Sequence, residues 1–203
     1  MKVTGNVSFS MDFTAEGRIE ISRSTIGGNL NCSGAKIQSR RQPEPLNTPS
    51  AEIIALDATS AKIDGNVLLG TYVEEHSGFS DIIHFQVDGI LRFFAANIGG
   101  ALELTGTESL GKAIIDLRDA KARVLSNPEN SWPKSKNLRL QGFMFNELGG
   151  PASQDAKTQI KWLRLQEPFV AQPYEQMATV FLNMGYQEEG VDISIAEIGM
   201  QDG

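Results

Sequence analysis

The chain has 203 residues, 40% hydrophobic and 21% charged, enough to bury a single-domain core. Its net charge of −7 is uneven: residues 1–150 carry 15 Lys/Arg against 17 Asp/Glu, and residues 151–203 carry 3 against 8. That balance excludes a basic nucleic-acid footprint, and the single cysteine, Cys32, excludes an internal disulfide framework and any multi-cysteine metal site.

The N-terminus, MKVTGNVSFS, has no signal-peptide apolar core, and no later apolar run is long enough to cross a bilayer. The expectation is a cytoplasmic chain without membrane insertion. From Phe13 the sequence begins to echo itself. Phe13, Gly17, Ile19, Ile21, Ile26, Gly27, Gly28, Leu30, Cys32 and Gly34 recur 72 positions later as Phe85, Gly89, Leu91, Phe93, Ile98, Gly99, Gly100, Leu102, Leu104 and Gly106. A weaker copy lies between them, with Ile63, Gly65, Val67 and Leu69 matching Ile26, Gly28, Leu30 and Cys32.

Within each copy, short alternating pieces such as GRIEIS, GNLNC, GNVLL and GALEL predict very short strands, with glycines at the corners. Small residues stand two positions before an apolar one at Ser24/Ile26, Ala35/Ile37, Ala61/Ile63 and Ala96/Ile98. A small corner residue beside a larger inward one suits a narrow coiling ladder whose successive rungs stack like over like. The predicted fold is mainly β: a β-solenoid over 1–150, with a C-terminal α-helical cap over 151–203. Three segments interrupt the rhythm, 38–50, 71–78 and 126–137, and their Pro, Asn, Ser and charge predict loops expelled from the coil. Met1 runs almost directly into the repeat element GNVSF, which predicts an uncovered first rung and a homodimer formed through it.

After Leu148-Gly149-Gly150-Pro151 the period becomes helical. Ala156, Ile160 and Leu163 fall on one face, with Ser153 placed to cap and Asp155 in the first turn. Pro173 opens a second helix carrying Tyr174, Met177, Phe181 and Met184, and Gly185 stops it. The last segment, QEEGVDISIAEIG, fits two patterns. Val191, Ile195 and Ile198 have helical spacing, Val191, Ile193 and Ile195 alternate, and the helical reading is preferred although Gly190 weakens it.

These residues resemble bacterial repeat proteins related to pentapeptide-repeat proteins, a group carrying the label "membrane-associated oxidoreductase". Their repeat is similar to F-x-x-x-G-x-[IV]-x-[LF]-x-x-[AS]-x-I-G-G-x-L-x-C-x-G-A, matched by Phe13 to Ala35 and by Phe85 to Gly106. NLRLQGFMFNEL, KWLRL and QPYEQMATVFLNMGYQEE resemble their C-terminal segment. The resemblance implies a right-handed β-helix followed by helices. It implies no chemistry, since no motif here supports the redox label.

Candidate chemistry is thin. Gly106 to Ala113, GTESLGKA, satisfies G-x-x-x-x-G-K with Lys112 as the phosphate lysine. Ala113 lacks the magnesium-binding hydroxyl, however, and the alternating AIIDLRD that follows predicts a strand where the phosphate needs a helix N-terminus. Cys32 shares its position with Leu69 and Leu104, which predicts a buried, inert thiol. His76, beside Glu74 and Glu75, lacks a second strong metal ligand, and His84 lacks a nucleophile. Asp116 and Asp119, with Asp57 or Asp88, are the best candidates for the paired carboxylates of a polysaccharide-acting enzyme.

The expected function is therefore a non-enzymatic protein-interaction or scaffold module, with no catalytic, cofactor or metal residues. Candidate contact residues are Trp132 in its loop and Tyr174, Glu175, Glu188, Glu189 and Asp192 in the helical part. The alternative is an acidic DNA-mimic inhibitor of a nucleic-acid-binding enzyme or defence complex, and the third reading is a polysaccharide-acting β-helix enzyme. The partner is expected to be a protein rather than nucleic acid.

Overall fold

The computed structural model describes residues 1–38, 53–76, 79–105, 110, 113–150 and 155–201. The chain is mainly β, with short parallel strands followed by three C-terminal helices. Parallel pairing dominates because, apart from one hairpin, each strand meets its counterpart one repeat later and not its immediate neighbour in sequence. One ladder runs Val3, Ile26, Ile63, Ile98, Ala122, Phe145. A second runs Ile19, Leu56, Leu91, Ile115, Leu138. A third joins Thr14–Glu16, Lys36–Gln38 and Gln86–Asp88.

These registers give the length of the repeat unit. Val3 to Ile26 is 23 residues, and Ala122 to Phe145 is again 23. The intervening steps are 37, 35 and 24. Two units thus carry 14 and 12 residues beyond the basic length, and two units with both additions account for the 72-residue echo. The 12-residue addition is an antiparallel hairpin, Tyr72–His76 paired with Phe79–Ile83. The expectation of an expelled loop at 71–78 is thereby corrected: the alternation in YVEEH and FSDII is ordinary hairpin patterning. The segment expected as a loop at 38–50 lies, except for Gln38, outside the described residues. The third, 126–137, is no insertion, because its unit keeps the 23-residue length. It replaces a strand with a 3-10 turn at Glu129–Ser131.

Inward side chains stack in columns. Leu30, Val67, Leu102, Leu125 and Leu148 follow one another, all buried, as do Leu56, Leu91, Ile115 and Leu138. Each such side chain withdrawn from water contributes about 1.5–3 kcal/mol of burial free energy. The small residues Ser24, Ala61, Ala96 and Ala120 are also buried, and leave space at the corner for their larger neighbours.

Gly17, Gly34 and Gly89 turn at positive φ, 144, 72 and 123, as expected of corner glycines, but others need reassigning. Each unit turns a corner in the left-handed region at the same position, and four of the five residues there are not glycine: Arg23, Ser60, Ala95, Asp119, then Gly142. Gly28, Gly65 and Gly100 do something else. A Cβ at these positions would lie 2.2, 2.2 and 2.1 Å from the side-chain oxygens of Asn6, Asn29 and Asn66 one unit earlier. Those oxygens accept from the backbone N–H of Asn29, Asn66 and Ala101 at 2.7–2.8 Å. The Gly-Asn dipeptide is therefore a device for vertical stacking, in which glycine clears the space and asparagine bonds across it. At Gly5, in the first unit, nothing lies within 4 Å of the corresponding position.

The C-terminal helices are α1 (Ala156–Leu163), α2 (Gln172–Asn183) and α3 (Gln187–Gln201). Asp155 is the N-cap of α1 and accepts from the Thr158 N–H at 2.9 Å, so it precedes the helix and does not sit in its first turn; Ser153, expected to cap, lies outside the described residues. The Thr158 hydroxyl, which donates to the same carboxylate at 2.6 Å, together with the Thr158 backbone N–H holds the Asp155 carboxyl below its ordinary pKa. Gly185, at φ 90, follows the end of α2 as expected. Position 190 explains how α3 tolerates a glycine: a Cβ there would stand 2.7 Å from Leu182 Cγ and 3.2 Å from the Ala178 carbonyl. Close crossing of α2 and α3 offsets the lost helix propensity.

The helices meet the last strands through amides. Gln172 Oε1 accepts from the Gly142 N–H at 2.8 Å, and Gln176 Nε2 donates to the Phe145 carbonyl at 2.6 Å. Asn127 and Gln159 exchange a reciprocal buried pair at 3.1 and 3.3 Å. At the final strand edge, glutamine side chains stand where another strand's backbone would otherwise pair.

Candidate functional site

Two of the four carboxylates singled out for chemistry, Asp57 and Asp116, lie in the ladder through Ile19 and Leu138. Its outward positions read Glu20, Asp57, Arg92, Asp116, Arg139 in successive units. Asp116 is fully buried, and Arg118 grips it with two hydrogen bonds, Nε to Oδ1 at 2.8 Å and Nη2 to Oδ2 at 2.7 Å. Arg139 and Arg92 stand 3.7 and 3.9 Å from the same carboxylate. Burial pushes the Asp116 pKa up, but the hydrogen bonds and charge of Arg118, joined by Arg139, outweigh it and hold the pKa below the ordinary value. Arg118 also lies 5.6 Å over the Phe94 ring. Asp57, 5% exposed, pairs with Arg18 at 3.1 Å and accepts from the Thr59 N–H at 3.0 Å.

This geometry does not gather an acid and a base. Arg92 stands between Asp57 and Asp116, and a carboxylate gripped by guanidinium groups is a poor proton donor near neutral pH. Asp119 is an exposed left-handed corner residue whose Oδ1 fills the space above Gly142, and Asp88 is exposed on the third ladder. The four aspartates expected as possible partners thus serve separate structural positions.

Burial raises the Cys32 thiol pKa to about 12, as expected of an inert core residue. Most of the GTESLGKA motif, Lys112 included, lies outside the described residues; Leu110 and Ala113 are buried, and Ala113 leads into the strand Ile114–Asp116 and not into a helix. His84 Nδ1 is 3.3 Å from Thr71 Oγ1, and His76 ends a hairpin strand. No cluster of three metal-ligating side chains occurs among the described residues. No helix of the described residues is long and apolar enough to cross a membrane.

The contact candidates divide. Trp132 is half-buried against the core and its indole N–H donates to the Asn127 carbonyl at 2.8 Å, so it is folded back onto the wall. Tyr174 is fully buried beside Phe169, which corrects its expected place on a contact surface: its ring spacing on α2 made it a core residue. Burial raises its phenol pKa and the Arg164 guanidinium opposes that shift. Glu175, Glu188 and Asp192 are exposed, and Glu189 is half-buried.

Among the described residues, apolar side chains are exposed in the first unit, on α3 and at the hairpin pair Val73 and Ile82. In the first unit, Val7, Phe9, Phe13, Ala15 and Ile19 are only half-buried, and Met1 and Met11 are 67% and 44% exposed. On α3, Val191, Ile195 and Ile198 are exposed. Sequence reading anticipated the first surface from GNVSF. It missed the second because the same three residues were taken only as evidence for a helix. No protein-family model matches the chain, and no curated protein or solved structure does.

Proposed function

We propose that this chain is a non-catalytic protein-interaction module built on a right-handed β-helix of the pentapeptide-like kind, with its C-terminal helices as a cap. The recurring unit of 23–24 residues, lengthened by additions in two units, and the parallel ladders favour a coil, and parallel crossovers are almost always right-handed. The resemblance of Phe13–Ala35 and Phe85–Gly106 to that repeat favours the family.

One observation carries the functional reading: the candidate reactive groups are occupied structurally while apolar surfaces stay uncovered. Asp57 and Asp116 are held in ion pairs and Cys32 is buried, whereas the first unit and the outer side of α3 expose contiguous apolar side chains. The DNA-mimic alternative is disfavoured because Arg92, Arg118 and Arg139 interrupt any acidic stripe along that face.

The first unit is the proposed homodimer surface. It carries Lys2, Arg18 and Arg23 against Asp12, Glu16 and Glu20, an even balance of signs that lets two copies meet about a two-fold axis without net repulsion. The module reading is tested by cross-linking immobilised full-length chain to a host extract and identifying what is retained. One protein recovered in fixed proportion is the expected result. Retention of a glycan or nucleotide with no protein overturns the reading.

A further inference from the structure

We infer that the outer face of α3 docks a cationic amphipathic helix of a partner protein, an inference that rests on the interaction-module reading and names its surface. Val191, Ile195 and Ile198 fall at i, i+4 and i+7 and are 54%, 61% and 60% exposed. That spacing makes one stripe along the helix, the form in which a helix presents anchors to another helix. The stripe is not needed to hold α3 in place. Ile193, fully buried, and Gly190, packed against Leu182, already seat the opposite side.

Charge selects the occupant. Exposed Glu188 and Asp192 lie beside the stripe, and α3, Gln187–Gln201, contains four Asp/Glu and no Lys or Arg. A second copy of this helix would set acid against acid across the contact, whereas a partner with Lys or Arg beside its apolar face gains complementary pairs. Binding should therefore combine apolar anchoring with a salt-sensitive component.

The test uses the full-length chain and two fluorescent model helices sharing one leucine face, the first with lysine and the second with glutamate elsewhere. Fluorescence anisotropy should show saturable binding of the Leu–Lys helix, weakened by added salt, and no binding of the Leu–Glu helix at the same concentrations. The double variant Ile195→Ser, Ile198→Ser alters exposed side chains, so its circular dichroism should match the parent while binding weakens about tenfold or more. Equal binding of both helices, no binding of either, or unchanged affinity in the double variant overturns the inference. So does a dimer of the parent chain that the double variant dissolves. A double variant that still captures every host protein retained by the parent overturns this surface while leaving the module reading intact.

Discussion

At the scale of single residues, the stacking chemistry rests on glycine and asparagine. A Cβ at Gly65 would meet the Asn29 side-chain oxygen at 2.2 Å and the Gly28 backbone at 2.8 Å, and backbone cannot swing aside. Gly65→Ala should therefore lower unfolding free energy by about 3 kcal/mol in urea titration, and removing the Asn29 side chain as well should not restore it. Asp116 makes a second prediction. Its pKa is lowered in the folded state, so its contribution is present above the unfolded carboxylate value of about 4 and fades as pH falls through the folded one. Asp116→Asn leaves Arg118, Arg139 and Arg92 around an uncharged amide. It should cost about 2 kcal/mol at neutral pH, less than a wholly dry pair because the arginines are partly exposed, and the gap to the parent should shrink as pH falls below about 4. Equal losses at neutral and low pH would contradict that account.

At the scale of elements, the amide contacts from α2 to the last strand are the part most open to dissection. Gln176→Ala removes the donor to the Phe145 carbonyl, and amide exchange across α2 and Met144–Leu148 should quicken together, with a stability loss of about 1 kcal/mol. Exchange confined to the helix would show that the contact does not tie the two together. This scale also shows what sequence could and could not reveal. The 72-residue echo was legible because inward residues must stay apolar in every unit. The 23-residue unit beneath it was hidden, since additions of 14 and 12 residues fall in successive units and only register separates them. The corner at Arg23, Ser60, Ala95 and Asp119 was hidden because the first three are residue types without a left-handed signature, and Asp119 alone is of a type enriched there. Asp57 and Asp116 were legible as neighbouring carboxylates, but only pairing shows Arg92 between them and Arg139 beyond, in one outward column. In the helical part, the spacing that marks α2 as amphipathic also places Tyr174 in its core, which is at odds with a contact role for that residue.

At the scale of the whole molecule, the two ends of the parallel ladders are unequal. The last strands meet glutamine side chains of α2, whereas the first unit keeps its inward residues half-buried and an open space at Gly5. Light scattering should give a dimer mass at high concentration, and Val7→Lys, which sets a charge in that apolar face, should return a monomer with an unchanged circular dichroism spectrum. A monomeric parent at every concentration would remove the first unit as a self-association surface. The function itself is decided by calorimetric titration of the full-length chain with the protein recovered from host extract, repeated at several temperatures. The interaction-module account predicts saturable binding at fixed stoichiometry with a negative heat-capacity change from apolar burial. A titration without saturable heat would contradict it.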